Sequence, residues 1–141
     1  DKILIFPATH YVLPPERHGE ITPVRDLLDA GVKVGLVTDN VPVSLFWPIW
    51  QVVARLNIKQ EPVAPEQAIS RAEALRCATE YCAYLTFDED KKGTLVPGKL
   101  ADLAVLSADP LSVAEPELRD ISALMTMVGG KIVYETADCQ G

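Results

Sequence analysis

Apolar residues in the first half of the chain form two short runs with a helix-like segment between them. Residues 3–6 and 32–37 are rich in Ile, Leu and Val, as expected for strands of a parallel sheet that is covered on both faces. Between these runs, Thr22 and Pro23 suit the N-cap and the first position of a helix, and Gly31 suits its end. This half of the chain therefore predicts alternating strands and helices.

Two further helices are predicted in the middle of the chain. An aromatic loop at 46–50 leads into a helix that ends near Asn57. Ser70 and Glu73 have the Ser-x-x-Glu spacing of a capping box, in which each side chain binds the backbone N–H of the other residue. The residues that follow are apolar at helical spacing as far as Leu85, which predicts an amphipathic helix.

The last third of the chain has the pattern of antiparallel strands. Residues 93–99 are predicted to form a strand and a turn, and residues 101–106 a second strand. Two short apolar runs, 124–128 and 131–134, flank Gly129-Gly130, which suits the two-residue turn of a β-hairpin. The predicted fold class is therefore α/β in the first part of the chain and antiparallel β in the last.

The composition favours a folded domain and argues against two classes of partner. Hydrophobic residues make up 48% of the 141 positions, which is enough to bury a core. The formal charge of −7 argues against nucleic acid and against an anionic membrane surface as partners, because phosphate binding needs clustered Lys and Arg. No run of residues approaches the roughly 18 apolar positions that a membrane span requires.

The start of the chain and its cysteines lead to two further expectations. The chain opens inside the predicted strand 3–6 and has no initiator Met, so we expect it to be a piece of a longer polypeptide. Cys77, Cys82 and Cys139 have neither the number nor the spacing of a disulfide framework or a zinc knuckle. Sparse free cysteines are typical of a reducing compartment, so a cytoplasmic location is expected.

Asp39 is the first candidate for chemistry, because it follows the apolar run 32–37. In parallel α/β folds, ligands and catalytic groups collect at the carboxyl ends of the strands. A carboxylate held at such a place can bind a divalent metal or transfer a proton. The alternative is that Asp39 and Asn40 form a turn, for which both residue types are well suited.

The histidines and the aromatic stretch offer further candidates. His10 lies just beyond the predicted strand 3–6, so it would open onto the same face as Asp39, unless it is a loop histidine bound to backbone. His18 lies in a Pro- and Gly-rich loop and is expected at the surface. Trp47 belongs to an aromatic stretch that suits either the core or the wall of a pocket. No HxH, HExxH, GxGxxG or GxSxG pattern is found, so spacing indicates no closed metal site, phosphate loop or serine nucleophile.

Four segments of the chain carry motifs that occur together, in this order, in one group of proteins. Residues 28–40 end in Thr38-Asp39-Asn40 and look like a barrel strand that usually ends in a Ser/Thr-Asp pair, and residues 73–79 have the Glu-Ala-Leu…Ala-Thr pattern of the helix that follows it. Residues 93–106 match G-x-L/I-x-x-G-K-x-A-D-L-x-V-L, and residues 128–134 contain the Gly-Gly-Lys of a closing hairpin. In these segments the chain resembles the C-terminal region of the amidohydrolase superfamily.

The resemblance implies a metal-dependent hydrolase that acts on a non-peptide C–N bond of a small molecule, by hydrolysis of an amide or cyclic amide or by deamination of an amino-heterocycle. Its fold would be a (β/α)8 TIM barrel with a small β-sandwich domain. Residues 1–90 would form the last two strands and following helices of the barrel, and residues 91–141 a segment of the β-sandwich. The cofactor would be one or two divalent metal ions, commonly zinc, which activate water.

The resemblance also implies roles for individual residues. Asp39 would be the aspartate after the eighth barrel strand, which binds the metal, accepts a proton from the attacking water and passes it to the leaving group. His10, Asn40 and Trp47 would contact the substrate. Asp102 lies within the signature of the small domain and would be structural.

The other metal ligands of the superfamily have no counterpart in this chain. These are the HxH pair of the first strand, a bridging Lys or carboxylate, and the histidines after strands five and six. The remaining ligands are therefore expected outside this sequence, and the 141-residue piece is expected to be inactive by itself. Its partner would be the remainder of its own barrel or further copies of the chain. The alternative function is that of a non-catalytic truncated remnant that serves assembly or binding.

Overall fold

The structure is a computed structural model that describes residues 13–38, 43–57 and 59–137. Short 3₁₀ helices there occupy Pro15–Glu20, Pro65–Gln67 and Glu115–Asp120. The predicted strand 3–6 lies outside the described residues, and no helix within them is long and apolar enough to cross a membrane. The helices and strands of the described residues are α1 (Val24–Asp29), α2 (Phe46–Ala54), α3 (Arg71–Ala78), α4 (Glu80–Leu85), β1 (Leu103–Leu106), β2 (Ala123–Val128) and β3 (Lys131–Glu135).

One hydrophobic core joins the helices of the first half to a segment near the end of the chain. Leu118 and Ile121, from the last 3₁₀ helix and the residue after it, pack among side chains of α1, α2 and α3. This packing brings together residues far apart in sequence, so no local pattern predicts it. The buried set is Val24, Val34, Leu36, Ile49, Trp50, Val52, Ile69, Ala74, Cys77, Leu118 and Ile121.

The segment 32–37 differs from the prediction, because the structure has no strand there. Val34 and Leu36 are buried in the core, and Gly35 between them faces α4, where an added Cβ would lie 2.8 Å from Leu85 Cδ1. The segment is therefore covered on two sides. A strand needs a hydrogen-bonded neighbouring strand along its edges, and the described residues place no strand beside it.

Helix α1 confirms the predicted helix and its end, but not its start. The helix begins at Val24, with Pro23 as the N-cap residue. The prediction that Thr22 is the N-cap is wrong, because its backbone is left-handed (φ +53°) and an N-cap residue has extended backbone. Gly31 has φ +77° and follows the helix, as predicted.

Helix α2 begins and ends earlier than predicted. The aromatic stretch 46–50 is helical and is not a loop. Pro48 is tolerated because it lies in the first turn, where backbone N–H groups have no acceptor within the helix. The helix ends at Ala54 because Arg55 is left-handed (φ +51°), so it stops before Asn57.

The capping box at the start of α3 is confirmed, but the predicted helix is divided in two. The Glu73 N–H donates to Ser70 Oγ (3.2 Å), and the Ser70 N–H donates to Glu73 Oε2 (2.8 Å). Thr79 interrupts the helix with φ −126° and ψ −78°, and its hydroxyl donates to the Leu75 carbonyl (2.8 Å). Leu85, at the end of α4, is 52% exposed.

The Glu73 carboxylate is held in its ionised form by Arg25 and by the cap. Arg25 Nη1 donates to Glu73 Oε1 (2.8 Å), and with the Ser70 bonds this lowers the pKa of Glu73 to about 2. A carboxyl whose pKa is lower in the folded than in the unfolded state stabilises the folded state above the unfolded pKa. That contribution is lost as the pH falls through the folded pKa.

We expect acidification to reduce the hydrogen-exchange protection of α3 less in Glu73→Gln than in the wild-type protein. In the intact wild-type protein, backbone amides 72–75 should lose protection between a pH near the ordinary value of 4.5 and a pH near 2. Hydrogen exchange corrected for intrinsic rates measures this, and the variant should change little over the same range. Glu80→Gln, in the exposed pair with Arg76, is the matched control and should keep the wild-type profile. If protection depends on pH in the same way in Glu73→Gln and in wild type, the ionised Glu73 carboxylate does not stabilise α3.

The last part of the chain forms the predicted antiparallel sheet, with strand order β1-β2-β3. Gly129 and Gly130, between β2 and β3, have φ values of +56° and +77°, as a hairpin turn of type I′ requires. Asp102, for which a structural role is expected, accepts a hydrogen bond from the Gly129 N–H through Oδ1 (2.7 Å). The signature aspartate thus binds the hairpin turn.

The segment 93–99 forms turns and bends, so the predicted strand there is wrong. Leu95 is 75% exposed, and the segment lacks the buried face that favours strand pairing. Gly93 has φ +92°, and a Cβ at this position would lie 2.7 Å from Ala83 Cβ. The first glycine of the signature therefore allows this loop to pack directly against α4.

Candidate functional site

Three of the four predicted site residues lie outside the described residues. They are Asp39, predicted to be both the catalytic residue and a metal ligand, and the predicted substrate contacts His10 and Asn40. Their roles stay predictions. The structure does describe the chain on both sides of the 39–42 segment, and it places the fourth residue, Trp47.

The chain that leads to Asp39 is anchored by the two consecutive helices α3 and α4. The Leu36 N–H donates to the Cys77 carbonyl (3.1 Å), and the Cys82 thiol donates to the Leu36 carbonyl (3.5 Å). Burial raises the pKa of the Cys77 thiol to about 11, so this thiol stays protonated and serves the core. The anchoring places the last residues before Asp39 against fixed helices.

The chain that leaves the 39–42 segment enters α2 almost at once. Val43 is 86% exposed, and Ser44 Oγ accepts a hydrogen bond from the Phe46 N–H (3.2 Å) at the start of the helix. A side-chain oxygen at this position satisfies one of the free N–H groups of the first turn. The described residues on the two sides of 39–42 are thus an anchored segment and the start of a helix.

Trp47 lies on α2, where it is partly buried against the core. Its ring meets that of Trp50 edge to face, with centroids 5.7 Å apart. The Arg119 guanidinium lies 5.5 Å from the Trp47 ring and 4.9 Å from the Trp50 ring, within the range of cation–π interactions. Trp47 therefore helps to join α2 to the 3₁₀ helix that carries Arg119, and its contact with substrate stays a prediction.

Arg55, which belongs to no sequence motif, has a fully buried side chain at the end of α2. Its Nε donates to the carbonyls of Val63 (3.0 Å) and Ala64 (3.2 Å). Its Nη1 donates to the carbonyl of Thr22 (3.2 Å), and its Nη2 to that of Ile21 (2.8 Å). One guanidinium thus joins two distant backbone segments.

The acceptors of Arg55 are backbone carbonyls, and the charge is retained at neutral pH. Burial lowers the pKa of Arg55 to about 10, while the nearby Glu66 acts in the opposite direction. The signal that could have found this residue is its position about one turn after Val52 in the helix predicted as far as Asn57, which would place a basic residue on an apolar face. A basic residue on an apolar face needs a buried set of acceptors.

A cleft of about 180 Å³ opens between α1, α3 and α4. Its basic side chains already have partners. Arg25 pairs with Asp29 and Glu73, and Lys33 lies 3.4 Å from the centroid of the Tyr84 ring. Arg25 and Lys33, which line the cleft, therefore take part in ion pairs and a cation–π contact within the chain. Its lining residues are Arg25, Leu28, Gly31, Val32, Lys33, Glu73, Arg76 and Tyr81.

The donor chemistry of the described residues limits what they could contribute to a metal site. Within residues 13–38, 43–57 and 59–137, no three His, Cys, Asp or Glu side chains are close enough to share a metal ion. Asp39 offers a carboxylate and His10 an imidazole, and both donor types suit zinc. The described residues therefore do not by themselves supply three ligands for a metal ion.

The chain matches the amidohydrolase family over residues 4–134. It is 37% identical to an N-substituted formamide deformylase from Arthrobacter pascens over 123 residues, which are 85% of this chain and 22% of that protein. It is 31% identical to an imidazolonepropionase from Streptococcus sanguinis over 104 residues, which are 74% of this chain and 23% of that protein.

The fold is also similar to that of a solved structure. An amidohydrolase from Thermotoga maritima superimposes with a TM-score of 0.59 and 22% sequence identity, over 80% of this chain and 26% of that chain. The chain therefore spans between a fifth and a quarter of the length of the two relatives that it matches in sequence.

Proposed function

The chain belongs to the amidohydrolase family, and we propose that it forms the C-terminal part of a metal-dependent hydrolase of C–N bonds. The observation that carries this proposal is the 37% identity to an N-substituted formamide deformylase over 85% of the chain. The family match includes both the segment around Asp39 and the small-domain signature. Because an imidazolonepropionase is also among the relatives, the proposed substrate class extends from formamides to cyclic amides.

In this proposal Asp39 binds a divalent metal, with zinc as the expected ion, and transfers the proton of the reaction. A bound metal ion would lower the pKa of water and polarise the substrate carbonyl. The Asp39 carboxylate accepts the proton of the attacking water as the C–O bond forms. It then delivers that proton to the nitrogen as the C–N bond breaks, so the amine leaves neutral. His10, Asn40 and Trp47 contact the substrate.

We propose that the described residues are the last part of a (β/α)8 barrel followed by part of a small β-sandwich, with the boundary at residue 90. The covered faces of the 32–37 segment, and the lack of a strand beside it within the described residues, support a barrel strand whose neighbouring strands lie elsewhere. The remaining metal ligands and strands would come from other parts of the same polypeptide or from a second copy. The free thiols of Cys77 and Cys82 support a cytoplasmic location.

Metal removal from the intact protein tests the proposed function. The protein should hydrolyse N-alkyl or N-aryl formamides to equal amounts of formate and amine, or open cyclic amides to a single product that carries both the carboxylate and the nitrogen. We expect activity to fall at least about 100-fold after chelation and to return when Zn²⁺ is added back. Quantified formate and amine release, together with metal analysis, provide the measurement. Hydrolysis that persists in fully metal-free protein would contradict the proposal.

The intact mass separates this function from the alternative. A polypeptide large enough for a barrel of about 250 residues can supply the missing ligands. A natural product of 15.4 kDa with no bound metal would favour the non-catalytic binding module instead.

A further inference from the structure

Helix α4 ends in a turn whose backbone normally requires glycine. The Phe87 N–H donates to the Tyr84 carbonyl (3.0 Å), and the Asp88 N–H donates to the Ala83 carbonyl (2.9 Å). This pair of hydrogen bonds is the Schellman motif, in which the residue after the helix cap has left-handed backbone and is usually glycine. In this chain that residue is Phe87, with φ +59°. The left-handed position is therefore occupied by a bulky aromatic residue.

The described residues do not bury the Phe87 side chain in a way that would offset this conformation. Its ring is 91% exposed. Left-handed backbone is unfavourable for a residue with a Cβ, and an apolar ring in water forgoes the free energy of burial. Glycine would satisfy the same turn without either disadvantage. The contacts of the described residues therefore do not explain a phenylalanine at this position.

Two further apolar side chains are partly exposed on the last turn of α4. Tyr84 is 42% exposed and Leu85 is 52% exposed. Leu85 also lies against the 32–37 segment, since a Cβ added at Gly35 would be 2.8 Å from Leu85 Cδ1. We call the surface of Tyr84, Leu85 and Phe87 the α4-end surface. It adjoins the segment whose neighbouring strands, under the proposed function, lie elsewhere.

The size of the α4-end surface favours a contact within one polypeptide over a contact between separate proteins. Its exposed apolar area is roughly 400 Å², from the sizes of the three side chains and their exposed fractions. A stable complex of two proteins buries about 800 Å² on each partner. Within one polypeptide a smaller area is enough, because the two parts are held at high effective concentration.

The comparison with relatives indicates where a covering segment would come from. The chain spans between a fifth and a quarter of the length of the two relatives that it matches in sequence. Under the proposed function, most of the hydrolase therefore consists of segments other than these 141 residues. Such a segment is the occupant that the small area of the α4-end surface favours.

We propose that the α4-end surface is a docking surface for an apolar segment of the same polypeptide that lies outside the 141 residues, with Phe87 as its central side chain. This proposal rests on the proposed function, which makes the chain one part of a larger hydrolase. Burial of the ring offsets the left-handed backbone at Phe87. The two hydrogen bonds of the turn already hold the backbone that carries the ring, so docking does not have to order a free loop.

Phe87→Gly in the intact protein tests the proposal through the sign of its effect, with Gln60→Gly as the matched control. Gln60 is also exposed and left-handed (φ +64°), but its side chain is polar. Glycine relieves the left-handed strain at both positions, so Gln60→Gly should leave the midpoint of thermal unfolding unchanged or slightly higher. We expect Phe87→Gly to lower the midpoint by at least about 3 °C, because the lost burial of the ring outweighs this relief.

A second variant and a local measurement separate docking from a general loss of stability. Phe87→Leu keeps an apolar side chain and the same left-handed backbone, so its midpoint should lie between those of wild type and Phe87→Gly. Hydrogen exchange of backbone amides 83–88, corrected for intrinsic rates, should be faster in Phe87→Gly than in wild type, because these amides lie at the end of α4 and in its turn. Relief of strain without docking would make the same amides exchange no faster.

Two results would overturn the proposal. One is a Phe87→Gly protein whose midpoint and amide protection equal or exceed those of wild type, as expected for Gln60→Gly. The other is a midpoint that rises with protein concentration in wild type but not in Phe87→Gly, which would show that a second copy covers the surface. Neither measurement uses turnover. A wild-type protein that hydrolyses no C–N substrate would contradict the proposed function, and the unfolding and exchange data would still decide this contact.

Discussion

Replacing Asp39 with asparagine in the intact protein is expected to lower turnover by about 10³-fold or more. Asparagine keeps the size and shape of the side chain but cannot accept a proton from water or deliver one to a leaving nitrogen. The fold should be retained, because the described residues on the two sides of Asp39 are anchored independently, Leu36 by α3 and α4 and Ser44 by the start of α2. Steady-state release of amine from an N-substituted formamide measures the effect.

The control for Asp39→Asn is the same substitution at Asp29. Asp29 is 63% exposed at its side chain and pairs with Arg25 on α1, so its loss should leave turnover unchanged. Both proteins should be compared at equal zinc content, since a weakened ligand set would otherwise be mistaken for lost proton transfer. Wild-type turnover in Asp39→Asn at equal metal loading would refute the assigned role.

Replacing Arg55 with methionine is expected to lower the free energy of unfolding by about 3–5 kcal/mol. Methionine fills much of the space of the arginine stem, so the loss comes chiefly from backbone carbonyls that no longer have the guanidinium as a donor. The Thr22 and Ala64 carbonyls still accept hydrogen bonds from the Val24 and Gln67 N–H groups, so the largest cost falls on the carbonyls of the buried residues Ile21 and Val63. Thr22 and Ala64, which have left-handed backbone, also lose one hydrogen bond each. Denaturant unfolding of the intact protein, followed by a probe near α2, measures the change.

Arg71→Met serves as the comparison for Arg55→Met. The Arg71 side chain is only partly buried, so water can replace it at the carbonyls of Pro110 and Val113, and we expect a loss of about 1 kcal/mol. Equal losses in the free energy of unfolding for the two variants would show that burial of the carbonyls bound by Arg55 does not increase the cost of removing the arginine. A loss below about 1 kcal/mol for Arg55→Met would show that the segments 21–22 and 63–64 relax to reach other donors.

The features that the sequence predicts correctly depend on residues within about four positions of one another. The capping box joins Ser70 to Glu73, Gly31 ends α1, and Gly129-Gly130 forms the turn between β2 and β3. In each case the bond or the backbone angle is satisfied by the residue's own neighbours, so distant packing has little effect on the outcome. Family membership belongs to the same class, since it follows from linear motifs.

The features that the sequence does not predict depend on distant partners. The aromatic stretch 46–50 becomes helical because Trp50 is drawn into a core that includes Leu118, and the Arg119 guanidinium covers both tryptophan rings. The segment 32–37 has the composition of a strand, yet strand pairing depends on partners that the described residues do not place beside it. Of the predicted site, only the position of Trp47 is described, and its partial burial follows from the same long-range packing.

The sequence by itself determines the family, the local caps and turns, and the residue, Asp39, on which the proposed chemistry depends. Tertiary structure decides where α2 begins and ends, how α3 and α4 are divided at Thr79, and the burial of Arg55 among four carbonyls. The reason is the distance in sequence between the residues that interact. A cap or a turn is stabilised by adjacent residues, whereas the position of a buried charge is decided only when segments some forty residues apart bring their backbone acceptors to the same place.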